Sequence, residues 1–147
     1  MTIRAWRFAL LGWLVMIFLF SSDIFSAKNT EQVLVYDFLN VFVRKCAHMV
    51  EYAILMYLWF RSLYTVRERF SRTVIVSGVL SVLYAATDEW HQSFVPNRDG
   101  TITDVGWDAA GAILMGVFLW YVYVRGAKET KHKVLGSVVE DGSVYNT

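Results

Sequence analysis

Ionisable side chains lie within stretches of this chain that are otherwise apolar enough and long enough to cross a membrane. The clearest case is the stretch over residues 73–95, which contains Asp88, Glu89 and His91. An ionisable residue in hydrocarbon costs roughly 2.5–3.5 kcal/mol on insertion scales, so a segment that carries several of them needs partners. The pattern therefore predicts a polar site that is buried between membrane helices.

A helix needs about 20 mostly apolar residues to cross a hydrocarbon core of about 30 Å. Four stretches have about this length. They cover residues 5–22, 46–63, 73–95 and 105–124. The composition agrees, because 56% of the residues are hydrophobic and only one is a proline. We expect an all-α fold, a four-helix transmembrane bundle over residues 1–124, followed by a disordered cytoplasmic tail over residues 125–147.

The first stretch also fits a cleaved signal peptide, because Arg4 and Arg7 precede a 13-residue apolar core over residues 8–20. Signal peptidase prefers small residues before its cut, whereas the bulky Phe25 stands at such a position before Lys28. Retention as a membrane span is the interpretation that we favour.

The lysines and arginines set the expected orientation. With four spans, ten of the 14 basic residues lie before or at the start of the first span, at or between the facing ends of the second and third, or after the fourth. The opposite side has Lys28, Arg44, Lys45 and Arg98. Because cytoplasmic loops are enriched in these residues, we expect both termini in the cytoplasm. A net charge of +1 gives no indication of a nucleic-acid partner, and the single Cys46 excludes an internal disulfide.

This topology places the unusual charges in the outer half of the membrane. At a rise of about 1.5 Å per residue, His48, Glu51, Asp88 and Asp108 each lie about 5–10 Å inward from the outer end of their helix. Three helices thus contribute to one polar layer.

Helical spacing indicates which of these side chains share a face, since residues three and four apart are neighbours on a helix surface. The sets are Asp88, His91 and Gln92 in the third span, Asp104 and Asp108 in the fourth, and Lys45 and His48 in the second, with Glu51 beside them. Glu89 is rotated by about 100° from Asp88, toward a neighbouring helix or the membrane interface.

The motif at residues 88–100, DEWHQSFVPNRDG, resembles the signature of the VanZ-like family of small bacterial membrane proteins. Further pieces are Asp104-Val105, Gly111-Ala112, the RKCAH run at residues 44–48 with Glu51-Tyr52, and the FLFSS run at residues 18–22. The resemblance covers about residues 6–124. Asn97 stands where a glycine is common in the family.

The resemblance implies a four-helix, multi-pass protein of the bacterial cell membrane. The founding member of the family is linked to resistance to the lipoglycopeptide teicoplanin. The resemblance therefore implies a role in envelope maintenance or glycopeptide tolerance, with a membrane lipid or a lipid-linked cell-wall molecule as partner.

Three functional hypotheses remain open at this stage. The first is a binding site for such an amphipathic molecule, with Lys45 and Arg98 at its headgroup. The second is an enzyme acting on a lipid headgroup, and the third is a non-catalytic helper of a larger membrane-protein complex. The alternative to all three functions is that the buried charges form a hydrogen-bonded network that only holds the helices together.

The candidate residues divide by their chemistry. Carboxylates and imidazole suit acid/base catalysis, which makes the catalytic candidates Asp88, His91, Asp104 and Asp108. The ligand-binding candidates are Lys45, His48, Glu51, Glu89, Gln92 and Arg98. We expect no cofactor and assign no metal, although an aspartate–histidine set is also a donor set that divalent metals accept.

Overall fold

The computed structural model describes residues 2–22, 37–64, 69–95 and 101–136. These residues form five α-helices and, within the described ranges, no strand. The helices are α1 (Ile3–Ser21), α2 (Asp37–Leu63), α3 (Phe70–Gln92), α4 (Ile102–Arg125) and α5 (Lys128–Leu135). The prediction of an all-α fold is confirmed.

Three of the helices are long and apolar enough to cross a membrane, namely α1, α3 and α4. The fourth long helix, α2, has 27 residues but does not reach the same apolar composition. The sequence predicts four membrane spans. The length and composition of the described helices support three of them.

The position of α2 explains why its composition differs. It packs against α1, α3 and α4, and its side chains Tyr52, Leu55, Met56 and Phe60 are at most 2% exposed. The outer helices instead present large apolar side chains outward, among them Phe8, Ile75 and Ile113. Helices that face lipid need an apolar surface, whereas a helix enclosed by protein can carry polar groups.

The four long helices alternate in direction, and their ends form two chemically different layers. One layer is aromatic: Arg61 near the end of α2 lies over the ring of Trp6 on α1, with 4.5 Å between the guanidinium carbon and the ring centroid. In the same layer, Phe70 at the start of α3 stacks on Tyr123 near the end of α4, with ring centroids 4.1 Å apart. The opposite layer holds the polar residues.

The short helix α5 packs on the aromatic layer. The hydroxyl of Tyr57 and the guanidinium of Arg61 both donate hydrogen bonds to the carbonyl oxygen of Val134, at 3.0 and 2.8 Å. Leu135 is 1% exposed, and Gly136 ends the helix with a φ of 95°, which glycine adopts without strain. The prediction of a disordered tail over residues 125–147 therefore differs from the structure at α5, and residues 137–147 lie outside the described ranges.

One glycine sets the distance between α2 and α4. A Cβ atom on Gly111 would lie 2.9 Å from the Cα atom of Met49 and closer still to its carbonyl oxygen. Only glycine permits this approach of two backbones. The contact lies one residue from His48 and three from Asp108, so it fixes the two helices where the polar layer begins.

Candidate functional site

Three ionisable side chains from three helices meet in the polar layer. They are His48 of α2, Glu89 of α3 and Asp108 of α4, and each offers a donor atom within 4.8 Å of the other two. The Nδ1 atom of His48 lies 3.4 Å from the Oδ1 atom of Asp108. Asp108 is fully buried and Glu89 is 5% exposed. We refer to these three residues as the His48 cluster.

Two members of the His48 cluster, His48 and Asp108, have buried polar atoms without the hydrogen bonds that a buried polar network normally makes. Neither carboxylate oxygen of Asp108 accepts a hydrogen bond from any described residue. The Nδ1 atom of His48 and the hydroxyl of the fully buried Tyr52 likewise have no hydrogen-bond partner within the described ranges. A buried polar group that makes no hydrogen bond costs about 1–3 kcal/mol, and more when it is charged. The carboxylate oxygens of Asp108 and the Nδ1 atom of His48 are therefore available to bind a ligand.

Asp88 belongs to a neighbouring set of contacts. Its carboxylate accepts one hydrogen bond from the hydroxyl of Ser21 on α1 and another, of 2.9 Å, from the side-chain amide of Gln92. Asp88 is 4% exposed, so both bonds are shielded from solvent. Unlike Asp108, Asp88 is satisfied by protein groups, and it links α1 to α3.

A charged rim connects to the His48 cluster through one backbone group. The ammonium of Lys45 donates to Asp104 at 2.7 Å, and the hydroxyl of Thr101 donates to the second oxygen of the same carboxylate at 2.9 Å. The backbone N–H of Thr101 donates to Glu89 at 3.0 Å. Thr101 thus orients one carboxylate of the rim and one of the cluster.

The remaining predicted site residues lie around this layer. The ring of His91 packs on the ring of Phe18, with centroids 4.6 Å apart, and it does not join the His48 cluster. The backbone oxygen of Glu51 accepts a hydrogen bond from the indole of Trp13 at 3.1 Å, and its carboxylate acts electrostatically on His48. Arg98 lies outside the described residues.

The comparison with family models supplies the identity of the chain. The model described as VanZ/LLP1 matches residues 6–124. The chain belongs to the VanZ/LLP1 family. The resemblance inferred from the motif at residues 88–100 is thereby confirmed. Comparison with curated proteins and with solved structures gives no match.

The VanZ/LLP1 match spans every residue of the polar layer. Helical spacing groups Asp88 with Gln92, which are hydrogen-bonded in the structure, and turns Glu89 toward a neighbouring helix, where it approaches Asp108 of α4. Spacing does not predict that Ser21 is the second neighbour of Asp88 or that His91 packs on Phe18. Ser21 and Thr101 are not among the predicted site residues. Ser21 lies within the FLFSS run that contributes to the resemblance, whereas the contact of Thr101 through its backbone leaves no signal in the sequence.

An apolar groove lies deeper in this VanZ/LLP1 fold than the polar layer. It has a volume of about 420 Å³, and α3 and α4 form its walls. Its lining includes Gly78, Val79 and Leu83 of α3 and Ala112 and Gly116 of α4. Ala112 is one helical turn, about 6 Å, from Asp108. The groove therefore begins close to the His48 cluster and continues toward the aromatic layer.

Proposed function

We propose that all four long helices cross the cell membrane of a bacterium, with both termini in the cytoplasm and the polar layer in the outer half of the membrane. The 27 residues of α2 give it a length of about 40 Å, more than a hydrocarbon core of about 30 Å requires. The basic residues Arg61, Arg69 and Arg125 lie at helix ends in the aromatic layer, which suits the cytoplasmic side.

We propose that the polar layer receives the headgroup of an amphipathic envelope molecule, a lipid-linked cell-wall precursor or a lipoglycopeptide. The observation that carries this proposal is the fully buried carboxylate of Asp108, whose oxygens accept no hydrogen bond from the described residues. A network built only to lock helices together is expected to satisfy its own members, since a half-satisfied network is worse than apolar packing. Available acceptors suit the hydroxyl and amide groups of a sugar–peptide headgroup.

The surroundings of the layer suit an amphipathic ligand. Arg44 is exposed beside Lys45 at the rim, where cations attract phosphate or carboxylate groups at headgroup level. Arg98, which follows α3 in the sequence, stays a predicted ligand-binding residue and lies outside the described ranges. The apolar groove beneath provides a surface for a hydrocarbon tail. We further propose a role in tolerance to glycopeptides such as teicoplanin, which rests on membership of the VanZ/LLP1 family and on the link of its founding member to teicoplanin resistance.

A membrane enzyme that hydrolyses or transfers groups on a lipid headgroup is the second candidate. The observation that favours it is the pairing of His48 with Asp108, with Glu89 beside them. A neutral histidine near a carboxylate can accept a proton from a water or hydroxyl nucleophile, and a second carboxyl group that is protonated can donate its own proton to the leaving group. Asp88 and Asp104 then act as positioning residues rather than as proton carriers, since both are held by protein hydrogen bonds.

Mass spectrometry of co-purified lipids tests the headgroup proposal. The full chain, extracted in mild detergent, is expected to retain an anionic lipid species that is enriched relative to the membrane from which it was extracted. Gly78→Leu fills the groove and is expected to reduce this enrichment. Gly12→Leu is the matched control, because a Cβ on Gly12 meets no atom within 4 Å. Equal lipid profiles for the wild type, both variants and the bulk membrane would contradict the proposal.

A further inference from the structure

We propose that His48, Glu89 and Asp108 bind one divalent transition-metal ion. The donor set is one imidazole nitrogen and two carboxylate oxygens, supplied by three different helices. Imidazole suits zinc, iron, copper and nickel, and carboxylates are accepted by zinc, iron and manganese. This mixed nitrogen and oxygen set favours a first-row transition ion over magnesium or calcium, which prefer oxygen alone.

The spacing of the donors suits a single ion. Two ligands on a tetrahedral metal at about 2.1 Å from the ion lie about 3.4 Å apart. His48 Nδ1 and Asp108 Oδ1 are separated by 3.4 Å, and no pair of donors in the cluster exceeds 4.8 Å. A small movement of the Glu89 side chain toward the other two donors completes a three-residue site, with a further position for water or a substrate oxygen.

An observation independent of the spacing also indicates a ligand. Asp108 is fully buried, and within the described ranges no group donates a hydrogen bond to either of its oxygens. The Nδ1 atom of His48 faces Asp108 at 3.4 Å and likewise makes no hydrogen bond to a described residue. Buried charges in proteins are paired, hydrogen-bonded or bound to metals. Two acids and one histidine have more negative than positive charge, which a divalent cation offsets.

The contacts around the cluster fit the outer shell of a metal site. The backbone N–H of Thr101 holds one oxygen of Glu89 at 3.0 Å, which orients the carboxylate as outer-shell hydrogen bonds orient metal ligands. Lys45 is engaged by Asp104 at 2.7 Å, so its charge is directed away from the cluster. The Gly111 contact holds α2 and α4 close together one turn below, which limits the separation of His48 from Asp108.

The metal site goes beyond the headgroup proposal and stands without it. A cation held here would also accept a phosphate or carboxylate oxygen, which the bare carboxylates repel. Because the three ligands lie on α2, α3 and α4, a bound ion joins three helices and stabilises the folded state by mass action.

Calorimetric titration of Zn²⁺ into the full chain in detergent, after chelator treatment, tests the site. The purification tag must lack histidine. We expect one equivalent of Zn²⁺ to bind with micromolar or tighter affinity and to raise the melting temperature, with millimolar Mg²⁺ unable to displace it. His48→Gln and Asp108→Asn are expected to weaken binding by more than the about 10- to 100-fold that outer-shell changes cause.

His132→Gln is the matched control, since His132 is exposed on α5 and should leave the Zn²⁺ affinity unchanged. If Asp108→Asn does not fold, Glu89→Gln replaces it in the titration and is expected to weaken Zn²⁺ binding in the same way. Absence of saturable binding to the wild type would overturn the metal site, as would affinities equal to the wild type in the variants of the cluster. Lipid enrichment is measured separately, so either proposal can fail alone.

Discussion

The imidazole of His48 and the carboxylate of Asp108 face each other across α2 and α4, 3.4 Å apart, beside the point where Gly111 brings the two backbones together. Because the four long helices alternate in direction, α2 and α4 run parallel, which places residue 48 in the first half of α2 and residue 108 in the first third of α4 at the same depth. One close backbone contact thus holds an acid and a histidine together in the polar layer.

Replacement of Gly111 by alanine is expected to separate the two helices. The added Cβ would collide with the backbone of Met49, and overpacking of this kind costs about 1–3 kcal/mol. Thermal unfolding in detergent should show a lower melting temperature for Gly111→Ala. Gly106→Ala on the same helix is the control, because a Cβ there meets no atom within 4 Å. Equal melting temperatures for the two variants would show that the close contact does not form.

The hydrogen bond between Ser21 and Asp88 is expected to hold α1 to α3. Ser21→Ala, Asp88→Asn and the double variant form a cycle that isolates the pairwise term. We expect each single change to lower the free energy of unfolding, with a coupling energy of about 0.5–3 kcal/mol. Strict additivity would mean that the two residues do not interact. Because Asp88 is satisfied by protein groups, its replacement should reduce stability together with function.

The class of fold and the existence of the polar layer follow from the sequence because both depend on composition and depth. Once the direction of each helix is assigned, the position of a charged residue along its apolar stretch gives its depth in the membrane, and these depths are similar. Which face each charge occupies depends on the rotation of the helix against its neighbours. Adjacent residues on a helix point in directions about 100° apart. The rotation of α3 therefore decides which of Asp88 and Glu89 faces α1 and which faces α4.

Two other features depend on tertiary contacts that periodicity does not report. Helix α2 begins at Asp37 rather than at Cys46, because polar residues outside an apolar stretch can still continue a helix. Helix α5 is strongly polar, and its order comes from Leu135 and from two hydrogen bonds to Val134. Isolated helices of this length are marginal in water, so the sequence alone predicts disorder there.

The two histidines of the polar half of the bundle are expected to respond differently to glutamine. Glutamine keeps hydrogen bonding but cannot carry a proton near neutral pH. His48→Gln should abolish function in a teicoplanin-tolerance assay, because His48 lies in the cluster. His91→Gln should retain most of it, because the ring of His91 packs on Phe18. Loss of tolerance with His91→Gln at native expression would assign the proton-carrying role to His91 instead.

The orientation is expected to follow the ten-to-four distribution of basic residues. Reporter fusions after Leu63 and after Val124 should report the cytoplasm, and a fusion after Pro96 should report the outside. A cytoplasmic signal at Pro96 would invert the bundle and move the polar layer to the inner half of the membrane.

The measurement that tests the central claim most directly is thermal unfolding of wild type and Asp108→Asn, with the bound lipid quantified in the same samples. If the polar layer is a ligand site, removing from chelator-treated, metal-free protein a buried charge that accepts no hydrogen bond should leave the melting temperature unchanged or raise it, while the enriched lipid is lost. Glu129→Gln, in an exposed ion pair on α5, is the control and should change neither quantity. A lower melting temperature for Asp108→Asn with the lipid retained would contradict the account and assign the layer a structural role.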